Sequence, residues 1–330
     1  MVDDLDNGDI LNVPSVSIIM VSYNAMPFVE GVFNSLKNQT FQNYEVIIYD
    51  NGSNDGSIEY IRTKYPYYKL IELGHNTGFS YPNNLGIKAT KSKYILALNF
   101  DIVFENTFLE NLVEAINSRD DIGWVAPKMC KLVNGVKTDN FDCFGHHMRK
   151  WRCATSYDPK LPLDPKIYTT REEVFGASAC AALYKREMLD DIAINGEIFD
   201  EDFFAYYEDV DLDWRAQKAG WKCLFVPEAI GFHARGGSGL SKNLDIIKIQ
   251  ISNRLLSIVK NDYISLFIQD VKVIYEETVK QIKPLKEENS SIIIEIVLRT
   301  LKYLPLMIKK RIIFCRKIRV NKEYIREIIY

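Results

Sequence analysis

The chain has 330 residues, of which 47% are apolar and 26% charged, at a formal net charge of −3. That balance excludes an extensively disordered chain and predicts one large domain with a full core plus an extension. The charge is uneven, because Ser291 to Tyr330 holds ten Lys or Arg against three Glu, a net +7, which leaves about −10 for the preceding 290 residues. An acidic body argues against nucleic acid as a partner, whereas a basic tail suits an anionic surface. Six cysteines lie scattered without a C-x-x-C pair. With no basic-then-apolar leader and no uncharged run near the ~18 residues of a spanning helix, the expectation is a cytoplasmic protein with free thiols.

Residues 1–14 are polar and expected to be frayed. Val16–Ser22 is a short apolar run that reads as a buried strand leading into Tyr23 and Asn24. Pro27 suits a first helical turn, and Phe28, Val29, Val32, Phe33 and Leu36 recur at helical spacing, predicting a helix over 27–38. Tyr44–Asp50 reads as a second strand, closed by the turn-rich stretch Asn51–Gly56 and a helix near 57–65. A strand at 69–73, a helix over 80–90 and a strand at 94–99 continue the alternation. Strands alternating with helices predict an α/β fold, with a mainly parallel sheet covered on both faces.

Ligands of such sheets sit at the carboxyl ends of the strands. Three loops fall there: Ser22-Tyr23-Asn24, Asp50-Asn51-Gly52 and Asn99-Phe100-Asp101. None is a Walker loop and no G-x-G-x-x-G is present, so the common ATP and NAD fingerprints are excluded. From 131 to 172 the pattern is irregular, with Pro159, Pro162 and Pro165 close together, and reads as a long insertion. Order resumes at Val174–Leu183. A helix is expected from Asp209 to Ala219, ended by Gly220, followed by strands at 221–226 and 229–233. Beyond Leu244 the pattern is helical. The organisation is therefore a 15–244 domain carrying the 131–172 insertion, and a 245–330 helical extension.

Several of these residues carry two readings each. Asp50 is either an Asx turn before Gly52 or a carboxylate accepting the imide N–H of a pyrimidine. Asp101 is a turn residue or a metal ligand, and His233 a core histidine or a second ligand. Together with diphosphate oxygens, one carboxylate and one imidazole suit Mn²⁺, and Mg²⁺ less comfortably. Glu208, Asp209 and Asp211 open a predicted helix, where the macrodipole alone favours acids. The surrounding Asp200–Asp209 stretch nevertheless combines acids with aromatics, as expected of a sugar cleft with a general base.

The chain resembles family 2 glycosyltransferases of the GT-A fold, most closely the rhamnosyltransferase-like subgroup. The segments that carry the resemblance are Val16–Asn24, Tyr49–Ser57, Asn76–Gly86, Leu98–Asp101, Phe203–Leu212 and Pro227–His233, in family order over about 15–260. It implies that Asp50 contacts the base, that Asn99 and Asp101 stand at the D-x-D position, that His233 supplies a metal ligand and that Asp209 is the base. Asn99 replaces the usual first Asp, which bears on metal affinity. Ser22, Tyr23, Asn24, Asn51, Asn76, Gly78, Asn84 and Phe100 complete the expected donor side. Trp151, Glu208 and Arg235 are assigned to the acceptor side, as is Arg152.

The implied reaction is inverting transfer of a sugar from a nucleoside diphosphate. The favoured donor is dTDP-rhamnose, with UDP-sugars as the alternative. The acceptor would be a saccharide or lipid-linked saccharide in cell-surface polysaccharide synthesis, and a homodimer is a further expectation. A sugar nucleotidyltransferase would need a Gly-rich basic loop after the first strand, which Ser22–Pro27 lacks. An inactive nucleotide-sugar-binding subunit has only Asn99 in its favour. Cys130, Cys143, His146, His147 and Cys153 fit no standard zinc spacing. In 291–330, Ile292, Ile293, Ile296, Val297 and Leu301 share a helical face beside clustered cations. That segment either packs on protein or lies on anionic lipid, the latter favoured, with its removal expected to spare transfer. The loop from Arg235 to Gly239 either closes over a diphosphate or is plain surface.

Overall fold

A computed structural model describes residues 13–158, 160–235, 244–288 and 291–330. The expectations for a frayed 1–12, for Pro159 and for closure by 236–239 fall outside the described residues.

The first half is a βα alternation. It runs β1 (Val16–Ser22), α1 (Val29–Lys37), β2 (Tyr44–Asp50), α2 (Ser57–Lys64), β3 (Lys69–Glu72), α3 (Ser80–Ala89) and β4 (Tyr94–Ala97). β4, β1, β2 and β3 lie side by side and parallel, with Ser22 paired to Asp50 and Asp50 to Glu72. Alternate residues of β1 enter different cores: Val16, Ile18 and Met20 meet α1 on one face, and Ile19 meets Ile87 of α3 on the other. Burial on both faces explains why these strands read as continuous apolar runs.

The second half is mixed. The elements β5 (Ile102–Phe104), α4 (Phe108–Ile116), β6 (Ile122–Val133), β7 (Val136–Cys143), β8 (His147–Met148), β9 (Ala154–Thr155), β10 (Glu172–Val174) and β11 (Leu183–Lys185) precede α5 (Arg186–Ile192). Then come α6 (Glu208–Lys218) and the long β12 (Lys222–His233). β11 runs antiparallel to both β4 and β6, and β12 is parallel to β6. Hence β12 points the same way as β1–β4, and its carboxyl end reaches the same sheet edge. β5 pairs with β12 and sets Ile102 opposite His233. The strands expected separately at 221–226 and 229–233 are one strand with a register shift between Val226 and Ile230. The 131–172 region is more ordered than its sequence suggests, since β7 folds back on β6 and β8 pairs with β9.

The extension is helical, as expected: α7 (Leu244–Asn261), α8 (Ile264–Glu288), α9 (Ile292–Phe314) and α10 (Lys322–Glu327). No helix of the described residues is long and apolar enough to cross a membrane. The extension is packed on the body. Ile292 and Ile296 of α9 meet Ile251 of α7, Phe314 joins the main core, and Ile325 and Ile329 pack with Met148, Phe175 and Trp214. The packing alternative for 291–330 is therefore realised among the described residues, so removing the segment would uncover these core faces.

Candidate active site

The donor-side loops interlock through short turns. Asp50 ends β2 buried, and its carboxylate accepts from Gly52 N at 3.0 Å and Ser53 N at 3.1 Å. The Asx turn is thus formed. Ser53 Oγ donates to Asp50 and accepts from Asn24 N at 2.9 Å, while Asn54 N donates to Asn24 Oδ1 at 2.9 Å. Asn51 N donates to Ser22 O at 2.8 Å, and its side-chain amide donates to Gly78 O at 2.7 Å. Ser22, Asn24, Asp50 and Asn51 are thereby brought together, with Tyr23 exposed beside them.

Asn76 accepts from Gly78 N at 2.9 Å. Gly78 adopts φ 84°, and a Cβ there would stand 2.3 Å from Phe204 O. Its missing side chain lets that carbonyl accept from Phe79 N at 2.6 Å at the start of α3. The loop before α6 is thus fastened to the donor side.

Two expected donor contacts are instead supports. Asn84 is buried, donating to Phe199 O at 2.8 Å and Glu201 Oε1 at 2.9 Å and accepting from Ile198 N and Phe199 N. Its two N–H donors and both lone pairs are spent on the 198–201 segment. The Phe100 ring is buried edge-on against Phe33, so only its backbone stands at the sheet edge. Asn99 beside it is partly exposed, its N–H donating to Cys180 O at 2.8 Å.

Asp101 and His233, 132 positions apart in sequence, meet at that edge with Asp101 Oδ2 3.2 Å from His233 Nε2. On the other side of the ring, His233 Nδ1 lies 3.0 Å from Asp142 Oδ2, and Asp142 also accepts from Arg235 Nε. Burial alone would lower the His233 pKa, but the hydrogen bonds to Asp101 and Asp142 outweigh it and raise it to about 9. Asp142 is buried, which alone would raise its pKa, yet His233 and Arg235 hold it below the ordinary carboxylate range.

A carboxylate fixing the far nitrogen of a ligating histidine is the usual support of a metal site. An oxygen and an imidazole nitrogen close enough to share one ion therefore fit a divalent cation that takes its remaining ligands from a diphosphate. Among the described residues no group of three or more His, Cys, Asp or Glu forms a protein-only cage. Arg235, its side chain 57% exposed, is paired with Asp142 beside the expected metal ligands.

Asp209 and Asp211 separate clearly. Asp211 is fully buried and satisfied by Arg215 Nε at 2.9 Å, Lys260 Nζ at 2.8 Å and Asn261 Nδ2 at 2.7 Å. Burial would raise its pKa, but Lys260 and Arg215 bring it below the ordinary value. Asp209 has 17% of its side chain open, accepting only from Val210 N at 2.8 Å and Ala179 N at 3.3 Å among the hydrogen bonds described. Of the two, only Asp209 keeps part of its carboxylate open to solvent. Glu208 is buried, and that burial with the charges of Asp209 and Asp211 pushes its pKa well above the ordinary value.

The backbone leading into α6 is unusual. Phe204, Tyr206 and Tyr207 all take positive φ, at 65°, 68° and 69°, and Asn253 Nδ2 donates to Phe203 O, Ala205 O and Tyr206 O to hold them there. Three such residues within four positions mark stored strain beside the candidate base. On the acceptor side, Trp151 is partly exposed, with its carbonyl accepting from Arg254 at 2.7 Å. Arg152 is buried and ion-paired to Asp262 and Asp270 at 2.8 and 2.9 Å, so it is a support rather than a contact.

Comparison with known proteins identifies the family and the fold. Residues 17–193 match the model of glycosyl transferase family 2. An N-acetylglucosaminyl-diphospho-decaprenol L-rhamnosyltransferase of Mycobacterium tuberculosis is 25% identical over 243 residues, 67% of this chain and 76% of the relative. A cholesterol galactosyltransferase of Borreliella burgdorferi is 30% identical over 116 residues, 33% of this chain and 32% of that one. The crystal structure of GalNAc-T7 with UDP, GalNAc and Mn²⁺ superposes with a TM-score of 0.60 at 16% identity. That match covers 90% of this chain and 59% of the other, and shows a common GT-A-like α/β fold. With more than half of its length matched by the family model, the chain belongs to glycosyl transferase family 2 and is a glycosyltransferase.

Proposed function

We propose that the enzyme transfers a sugar with inversion from a nucleoside diphosphate, dTDP-rhamnose being the favoured donor, to a saccharide or lipid-linked saccharide acceptor of cell-surface polysaccharide synthesis. The observation that carries the reading is the contrast at the start of α6, where Asp211 is sealed in ion pairs and Asp209 is left partly open. The Mycobacterium relative, whose name specifies L-rhamnosyl transfer to a diphospho-decaprenol acceptor, supports rhamnose and a lipid-linked acceptor. UDP in the structural neighbour keeps a UDP-sugar as the alternative donor.

The Asp209 carboxylate takes the proton of the acceptor hydroxyl as that oxygen attacks the anomeric carbon. A new C–O bond forms opposite the breaking one, whose electron pair leaves with the nucleoside diphosphate. The Asp50 loop holds the base, and the backbone of Asn99 and Phe100 lies along the sugar-diphosphate path. Asp101 and His233 would hold a divalent cation, Mn²⁺ or Mg²⁺, which when bound would supply Lewis-acid stabilisation of the leaving diphosphate. Trp151 and Glu208 are assigned to the acceptor side.

Membrane attachment belongs to the same reading. The inner face of α9 packs on the body, but Ile294, Leu298, Leu301, Ile308 and Ile312 remain exposed along its outer face, with Lys302 and Lys309 beside them. An apolar stripe flanked by lysines suits peripheral contact with an anionic cytoplasmic leaflet, where a lipid-linked acceptor would be presented. The test is incubation with dTDP-rhamnose and with UDP-sugars, with and without Mn²⁺, followed by NMR of the product anomeric centre. Inverted configuration and cation-dependent release of nucleoside diphosphate are expected; retention, or no turnover of any nucleotide sugar, sinks the reading.

A further inference from the structure

Behind Asp209 lies a buried polar cluster that this mechanism has not used. His146 follows β7, and its backbone is pinned to the β10–β11 connection, His146 N donating to Gly176 O at 2.7 Å. Its Nδ1 stands 2.7 Å from Asp213 Oδ2, and its Nε2 faces Asp209 Oδ2 at 3.9 Å. Asp213 is fully buried, and its other oxygen accepts from Trp124 Nε1 at 2.8 Å and Ala177 N at 3.2 Å. At Gly176 a Cβ would stand 1.8 Å from the Asp213 carboxylate, so only glycine leaves room for this arrangement. A carboxylate that fixes one imidazole nitrogen while the other faces a reacting group is how triads orient their histidine. Here the group in front is itself the base.

We infer that His146 is a positioning residue for Asp209, an imidazolium clamped by Asp213 whose Nε2–H is directed at the Asp209 carboxylate and keeps it ionised for the acceptor hydroxyl. The inference rests on the assignment of Asp209 as base.

Charge explains the need. Asp209 shares its surroundings with Asp213 and Glu208, and its charge also acts on the buried Tyr184 and the half-buried Tyr207. Three carboxyl groups in so dry a place would drive one another to protonate. Burial and the charges of Asp209 and Asp211 push the Glu208 pKa well above the ordinary value. Burial pushes Asp213 up, partly offset by its hydrogen bond to His146, to about 6. Burial would also strip the proton from His146, but Asp213 and Asp209 outweigh it and raise its pKa. The neighbouring His147 is buried with its pKa lowered to about 4, so it is neutral and brings no competing charge. His146 thus stands between two carboxylates, hydrogen-bonded to Asp213 and 3.9 Å from Asp209. When Asp209 accepts the acceptor proton, that proton stays on Asp209 until solvent removes it, and His146 keeps its own.

The test is the pH profile of kcat and of kcat/KM for the full-length enzyme and for His146→Gln. Loss of the imidazolium should lower kcat about ten- to a hundredfold with donor KM little changed. It should also move the acid limb up by about one unit, because the base then protonates more readily. An unmoved acid limb, with kcat falling only as folded protein is lost, overturns the inference.

Should the Gln variant fail to fold, NMR titration of the His146 ring in the native enzyme and in Asp209→Asn still decides. A lower His146 pKa in Asp209→Asn is expected, and an identical titration overturns the inference. Full turnover in Asp209→Asn would instead remove the base assignment itself, so the two failures are told apart.

Discussion

Replacing Lys310 by Met should destabilise the protein more than most single substitutions, although the residue lies far from the donor loops in sequence. Its ammonium, with 11% of the side chain open, hydrogen-bonds Asp200 and lies 2.8 Å from Asp202 and 3.1 Å from Glu197. Lys260 meets the other Asp200 oxygen at 2.7 Å and Asp211 at 2.8 Å. Unit charges about 3 Å apart attract by about 5 kcal/mol at an effective dielectric near 20. Desolvation offsets part of this, but removing one partner strands buried charge and costs about 3–5 kcal/mol. Against a domain stability of about 5–15 kcal/mol, that is a large share.

The pH dependence gives the sign. Burial alone would raise the Asp200 pKa, but Lys260 and Lys310 hold it well below the ordinary range. A carboxylate depressed on folding contributes stability that is complete above its unfolded value, about 3.9, and is lost as pH falls towards the folded value. Urea unfolding of wild type and Lys310→Met should therefore differ most from pH 7 down to about 5 and converge on further acidification. A difference under about 0.5 kcal/mol at pH 7, or one that does not narrow in acid, would refute this account.

Asp209→Asn should lower single-turnover transfer by about two orders of magnitude or more while calorimetric nucleotide affinity stays nearly unchanged. Asp211→Asn should instead lower the melting temperature, since it removes charge opposite Lys260 and Arg215, so the two variants separate chemistry from support. Asp101→Ala and His233→Ala should each weaken Mn²⁺-dependent binding of nucleoside diphosphate in a titration with and without the ion; unchanged metal dependence in both returns them to a structural role. Leu298→Glu with Leu301→Glu on the outer face of α9 should reduce sedimentation with anionic liposomes without altering the melting temperature. The wild-type attraction should itself weaken with salt, and equal sedimentation of both proteins removes the lipid contact.

What the sequence disclosed was whatever local physics decides. β1 and β2 have the bounds expected from their apolar runs, and α3 and α6 fall within a residue or so of theirs. The β6–β7 hairpin was missed although its signal is present. Asn134-Gly135 adopts positive φ at both positions, 51° and 77°, the turn that best matches strand twist. The polar, exposed β7 hid the pairing because it shows no apolar alternation beyond that turn. Asp101 and His233 were legible as strand-end residues, but Asp142 was not, since it ends an unrecognised strand. In sequence, His146 stands out only as a histidine among cysteines. Its real partners, Asp209 and Asp213, lie more than sixty residues away, and spacing says nothing about such pairs.

The tail shows why two readings of one segment need not compete. From sequence, a helix with an apolar face beside cations must either pack on protein or lie on lipid. α9 has apolar side chains on both sides, so each option takes its own face. Met307, Lys310 and Phe314 turn inward, and Ile294, Leu298, Leu301 and Ile312 turn outward. Lys310 counts among the ten cations of the basic tail, yet it is spent on Asp200 and Asp202 and cannot serve an external surface. The cations left for a membrane are fewer than the net charge of the segment implies. The inner face ends on the Glu201–Phe203 turn, which runs through the strained Phe204–Tyr207 backbone to Asp209. Truncation would therefore remove the clamp on the candidate base together with the proposed membrane contact. Substitution on the outer face alone separates attachment from catalysis.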